Sequence, residues 1–274
     1  MIKKSDRGLS VFVYVVLTLF GLLSLAPFLW MLFTSFKPLP EVEAGNLLPK
    51  SPQPGNYADV FHQSPFALFF LNSFLVAAWV TFLTVLVSAM GAFAFSRLRW
   101  KGRDLVFKLF LATLMVPGVV TMIPNYTVVV QLKLLDSVAG LVIPAAFGAF
   151  GVFMLRQFMM TIPTSLDEAA EIDGADPWTT FWEVTMPLAK SGLTTLAIFT
   201  FLGNYSSFYW PLLVIKSEEL RTLPVGMLFF DSNYGRQTNL LMAASVMSVL
   251  PPLIVFVIAQ KQLVRGIMVG AVKG

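Results

Sequence analysis

The sequence predicts an all-α membrane protein: six transmembrane helices with a cytoplasmic two-helix loop between the fourth and fifth. Three observations predict it. Hydrophobic residues make up 57% of the 274 and charged residues only 12%, against roughly 25% charged in an ordinary soluble domain. A soluble fold of this size leaves about a quarter of its chain surface in water, more than so few polar groups could cover. Six apolar stretches reach the length of about 20 residues that crosses a bilayer. Finally, Lys and Arg divide unevenly between the connections, as expected of a multi-pass chain.

The first span covers about 9–36. Lys3, Lys4 and Arg7 precede it like the charged start of a signal peptide, but the apolar run is too long and no small-x-small cleavage site follows. It reads as a retained helix. An outer loop follows, with Pro38, Pro40, Gly45, Pro49, Pro52, Pro54 and Gly55, a composition that predicts irregular structure. The lone His62 within it reads as solvated. The second span covers about 66–95 and ends on Arg97, Arg99, Lys101 and Arg103, with Trp100 as an interface anchor. That basic cluster reads as a topology signal rather than a lipid-recognition site. The third span, about 105–126, is interrupted by Pro117, Gly118 and Pro124, which a bundle tolerates when neighbours satisfy the freed backbone groups. The fourth covers about 138–160, the fifth about 191–215 and the sixth about 240–259. With the N-terminus inside, 13 basic residues fall on the inner side and 6 on the outer, so both termini are expected in the cytoplasm. No fixed-period repeat and no second soluble domain is visible, so residues 1–274 read as one transmembrane domain.

Several functions are excluded. The chain has no Cys and one His, so thiol chemistry, disulfides and multi-histidine metal sites are out. It has no Gly-x-x-x-x-Gly-Lys-Ser/Thr phosphate loop, no Gly-x-Ser-x-Gly elbow and no His-Glu-x-x-His. The net charge of +4 belongs to topology, and no nucleic-acid partner is expected.

The connection 161–188 differs from its surroundings. It holds Asp167, Glu168, Glu171, Asp173, Asp176 and Glu183 and no Lys or Arg, on a side otherwise basic. Ser165-Leu166-Asp167-Glu168 reads as a capping box, with the Ser165 hydroxyl on the Glu168 amide. Gly174 reads as a left-handed stop, and Asp176-Pro177 as the cap and first position of a second helix. Trp178, Phe181 and Trp182 share a face of that helix, which Met186-Pro187 ends. Ala169 and Ala170 permit close approach of another protein, and the acids suit a basic one.

Glu168-Ala169-Ala170, three residues, Gly174, nine residues, then Val184-Thr185-Met186-Pro187 resembles the EAA loop of bacterial ABC importer permeases, with Val184 and Met186 where Ile and Leu are usual. Leu71-Asn72-Ser73, Leu134-Leu135-Asp136-Ser137, the Gln157-Phe158 run to Pro163, Tyr209-Trp210-Pro211-Leu212, Val264-Arg265-Gly266 and Gly270–Gly274 extend the resemblance to the second permease subunit of carbohydrate-type importers, the maltose and glycerol-phosphate group. The resemblance implies a bacterial inner-membrane subunit paired with a homologous permease as a heterodimer. It also implies two ATPase subunits below and an extracytoplasmic solute-binding protein above. This chain itself is expected to carry no cofactor, ATP and Mg being held by the ATPase subunits. Coupling to them falls on Glu168, Ala169, Ala170, Asp173, Gly174, Trp178 and Pro187.

Polar groups inside a span normally face the bundle or a water-filled cavity. Asn204 and Tyr205 in the fifth span are therefore the solute-path candidates, with Ser207 and Tyr209 behind them; the bland alternative is helix–helix packing. A self-contained secondary carrier or channel is the rival function. It would usually carry titrating groups inside its spans, and the confident span interiors have almost none. An intramembrane enzyme would need a base for which no span supplies a His.

Overall fold

The computed structural model describes residues 7–232 and 237–271, with side chains described over 10–231 and 237–260. Lys3, Lys4, Arg236 and Lys273 of the charge count, and the last three residues of the C-terminal motif, lie outside the described residues. Among the described residues all regular structure is helical. The helices are α1 (Arg7–Ser35), α2 (Leu39–Glu43), α3 (Asn56–Gln63), α4 (Phe66–Ser96), α5 (Arg103–Ala112), α6 (Gly118–Gln131), α7 (Val138–Ala145), α8 (Ala149–Met159), α9 (Ser165–Ile172), α10 (Pro177–Thr179), α11 (Met186–Leu188), α12 (Lys190–Tyr205), α13 (Tyr209–Val214), α14 (Leu223–Gly226), α15 (Phe229–Ser232) and α16 (Thr238–Ala271). Three are long and apolar enough to cross a membrane alone, within α1, α4 and α16, and three bent pairs could supply the others. They group into two compact units, residues 1–66 with 227–250 and residues 67–226 with 251–274.

In the first unit, α1 buries none of its most apolar 18-residue window. Val11, Phe12, Tyr14, Phe20 and Leu23 all stand exposed, an arrangement stable only in lipid or against another chain. Its end is fixed by polar groups. Asn56 Nδ2 donates to the carbonyls of Ser35 (2.8 Å) and Lys37 (2.9 Å), satisfying acceptors that a helix end leaves free. Asn239, at the start of α16, donates to Asn56 Oδ1 at 3.2 Å. The buried Lys37 ammonium donates to the Asn46 carbonyl. The Pro-rich loop is less irregular than its composition predicts, since it contains α2 and α3. In α2 the prolines help, with Pro38 at the cap and Pro40 in the first turn, where a missing N–H costs nothing.

In the second unit, α4 carries two cores. Val76 and Val80 pack with Val129, Leu141, Val142, Val214 and Ile215. Nearer the Ser96 end, Ala89, Ala92 and Phe93 pack with Leu155, Met159, Phe181, Ala189 and Leu196. The third expected span is broken by 101° between α5 and α6. Val116 is extended and Pro117 non-helical there, while Pro124 sits inside α6 without ending it. The fourth bends by 46° between α7 and α8. Pro144, inside α7, cannot donate to the Gly140 carbonyl, and the Trp210 indole donates to that oxygen instead, at 3.1 Å. The fifth is not one helix over 191–215: α12 ends at Tyr205 and α13 starts at Tyr209.

The motif residues Asn72, Ser73 and Asp136 all hold the segment after α13. Asn72 Nδ2 donates to the carbonyls of Glu219 and Arg221, and Ser73 Oγ accepts from the Leu223 amide at 2.7 Å. Asp136 Oδ1 accepts from the Ser217 and Lys216 amides and the Ser217 hydroxyl, each at 2.9 Å. These bonds, Ser217's amide foremost, hold its carboxyl below the usual range. A depressed carboxylate stabilises the fold above its unfolded pKa and loses that contribution as pH falls through the folded one. The amides of Lys216 and Ser217 are therefore expected to lose hydrogen-exchange protection on acidification into that range. Asp136→Ala should remove the protection at every pH. Protection that persists in Asp136→Ala would mean the clamp does not hold the segment.

Candidate functional site

The acidic loop is built by local chemistry and then anchored by aromatics. After α8, Thr164 already has helical angles (φ −68°, ψ −21°) and its side chain makes no cap. The Leu166 amide donates to Pro163 O and the Glu168 amide to Thr164 O. The expected capping box is thus absent: Ser165 lies inside the first turn instead of in the extended geometry a cap requires. Glu168 is left exposed and free of that capping role. Gly174 does adopt the left-handed conformation, φ +85°, which glycine alone enters without strain. Asp176 caps as expected, accepting from the Thr179 amide at 2.7 Å, with Pro177 next. Hydrogen bonds from Thr179 hold the Asp176 carboxyl below its usual value.

The second helix is not regular. It runs α10, a π-helical stretch Thr180–Thr185, then α11. Such widened turns recur at functional sites. Pro187 does not end it, as expected, but sits in the first turn of α11; the chain then bends 76° into α12. Phe181 is buried against Phe93 of α4, ring centroids 5.3 Å apart in an edge-to-face pair. Trp178 and Trp182 pack on Phe181 at 5.8 and 4.9 Å but keep exposed faces. One aromatic is the anchor and two are surface.

On α9, Glu168, Ala169 and Asp173 are exposed and Ala170 is half-buried. Ile172 follows Glu168 and Ala169 by one helical turn and is 86% exposed. The sequence reading missed it; an isoleucine one turn after Glu-Ala, in a helix too short to bury it, was the available signal.

The reading of Arg97 as a topology charge was incomplete. Its guanidinium meets Asp167 Oδ2 at 2.9 Å and donates to the carbonyls of Met159 (2.7 Å) and Ile162 (2.9 Å). Burial pushes the Asp167 carboxyl up, while Arg97 pulls it down. A cleft of about 760 Å³ lies beside the pair, with Arg99 and Arg103 among its basic lining and Glu168 and Glu171 among its acidic lining.

The other candidates separate. Tyr205 is not at an open path: it is 3% exposed, stacked on Phe201 at 5.9 Å and edge-on to Phe70 at 6.4 Å. Asn204 donates to the Thr200 carbonyl of its own helix at 2.8 Å. Ser207 and Tyr209, by contrast, line a cleft of about 460 Å³ with Asn125 and Met122 of α6, where the break after α12 frees the chain. Among the described residues no group of three or more His, Asp or Glu could hold a metal ion.

Residues 85–269 match the family model for binding-protein-dependent transport system inner membrane components. The chain is 34% identical over 269 residues to the arabinooligosaccharides transport system permease protein AraQ of Bacillus subtilis, covering 95% of this chain and 96% of that one. It is 34% identical over 279 residues to the sn-glycerol-3-phosphate transport system permease protein UgpE of Pectobacterium atrosepticum, covering 97% and 98%. Among solved structures it is similar to a chain of a bacterial ABC transporter involved in the import of the acidic polysaccharide alginate, with a TM-score of 0.84, 26% identity, and 95% and 98% coverage.

Proposed function

The chain belongs to the family of binding-protein-dependent transport system inner membrane components, and on that premise we propose that it is one of two homologous permease subunits of an ATP-driven importer for a sugar or sugar-like solute. The observation that carries the coupling part is the exposed face of α9, where Glu168, Ala169 and Ile172 stand out from a loop anchored by Phe181. An exposed isoleucine in a segment that also exposes Glu168, Glu171 and Asp173 is a surface built for a basic, partly apolar partner. That partner is an ATPase subunit, which holds the ATP and Mg. The loop lies in the cytoplasm with both termini, and a solute-binding protein docks on the opposite side. The solute class rests on the relatives, whose names speak of arabinooligosaccharides, glycerol phosphate and alginate.

The solute path runs past Asn125, Ser207 and Tyr209. An amide and a hydroxyl suit the hydroxyl edges of a sugar, and an aromatic ring suits its C–H face; Tyr209 is 70% exposed. The test is uptake in proteoliposomes holding this chain, the second permease, the ATPase and the binding protein. ATP-dependent uptake is expected only from the full set, with Asn125→Ala and Tyr209→Ala changing affinity or selectivity. In this cysteine-free chain, Ser51→Cys should label from outside and Ser165→Cys only from inside. Uptake by this chain alone would instead establish a self-contained carrier.

A further inference from the structure

The helix that carries the exposed face has little to hold it in place. α9 buries none of its residues; it packs on the π-helical stretch Thr180–Thr185 of its own loop, which does not by itself tie it to the ends of α4 and α8. One side chain makes that tie. Arg97, just past the end of α4, is 6% exposed. Its guanidinium takes the Met159 carbonyl at the end of α8, the Ile162 carbonyl in the turn that follows, and the Asp167 carboxylate in the first turn of α9. Each contact is electrostatically apt. The end of a helix presents unsatisfied carbonyls and partial negative charge, which favour a cation, and the first turn favours an acid. One planar fork thus joins three helices. Asp167 Oδ1 is buried without a hydrogen-bond partner, so the carboxylate can turn and exchange its two oxygens on the Arg97 Nη1 without parting from it.

We propose that Arg97 is the positioning residue of the coupling loop: it pins α9 to the ends of α4 and α8, so that a push on α9 turns the spans instead of only bending the loop. This rests on the reading of α9 as the ATPase-facing surface. Residues that bear a load between two bodies must keep their contacts through the motion, and the spare carboxylate oxygen of Asp167 lets this pair do so while pivoting.

The experiment uses the assembled importer in proteoliposomes, normalised to the amount of complex. Arg97→Gln strands the Asp167 carboxylate, so a purely structural role would lower assembly. The double variant Arg97→Met/Asp167→Leu leaves no unpaired charge and should recover assembly. The pin is nevertheless gone, and solute taken up per ATP hydrolysed should fall by about fivefold or more. Arg97→Lys, which keeps the charge but not the fork, should fall between. Spin labels at Leu98→Cys and Glu171→Cys should give one narrow distance in the parent importer across nucleotide states and a broad one in the double variant. A double variant with parental uptake per ATP and a narrow distance overturns the pin. Ala169→Cys supplies the separate control: failure to crosslink to the ATPase in any nucleotide state overturns the reading of α9 itself, whatever the labels show.

Discussion

Uptake by the complex is expected to fall by more than about tenfold on Glu168→Gln, with the chain still inserted and assembled. The argument turns on what Glu168 is not doing. Its carboxylate was expected to cap its own helix, and the structure shows no such cap. The amide at the same volume should therefore cost the isolated chain little, within about 0.5 kcal/mol for an exposed position without such a role. At an interface, stripping one partner from a buried, hydrogen-bonded charge pair costs about 2–5 kcal/mol. Only a partner can make this substitution expensive. Binding-protein-stimulated ATP hydrolysis should fall with uptake. Uptake within twofold of the parent importer would show that Glu168 meets no cation.

The largest loss of stability is expected from Gly140→Ala. A Cβ there would stand 2.2 Å from the Leu134 carbonyl oxygen and 3.1 Å from a Val214 methyl. The obstacle is backbone, and it cannot swing aside: Ser137 Oγ donates to that same carbonyl at 2.7 Å and accepts from the Gly140 amide at 3.1 Å. Overpacking typically costs about 1–3 kcal/mol and sometimes more. Here relief would have to break the turn into α7 and displace Trp210 from the Gly140 carbonyl. Gly174→Ala is the contrast. Its Cβ would meet nothing within 4 Å, so it carries only the left-handed backbone penalty of about 1–2 kcal/mol. Thermal unfolding of the solubilised complex should rank Gly140→Ala well below Gly174→Ala. A reversed order would mean that the α7 turn has slack.

What the sequence made legible was short-range. Gly174 and Asp176-Pro177 act through neighbours a few positions away, and they stand as read. The capping box failed at equally short range because Pro163 starts the turn earlier and draws Ser165 inside it. The long apolar runs marked the three helices able to cross a membrane alone, within α1, α4 and α16, and Pro117 marked the break between α5 and α6. The break after Ala145 had a local sign in Pro144 that went unread; what nothing local reports is that the freed Gly140 carbonyl has an indole to turn to. Arg97 was illegible for the same reason: charge counting registers only its sign, whereas its task depends on Met159, Ile162 and Asp167, which come near only in the folded chain. Tyr205 and Tyr209 differ by four positions, yet one is packed and the other open. The break between them turns the chain, and aromatic composition cannot say on which side of it a ring falls.

The bareness of α1 bears on what a stability measurement of this chain would mean. A helix whose apolar side chains its own chain does not cover takes its resting free energy from its surroundings. By mass action, anything that binds the folded form adds to the apparent stability in proportion to the logarithm of its concentration over its dissociation constant. For the isolated chain, detergent and lipid are such ligands; in the proposed assembly, another subunit would be. A melting temperature would therefore be a reading of the solvent and the subunit ratio as much as of the sequence, and two preparations of the same chain could differ without a single residue having changed.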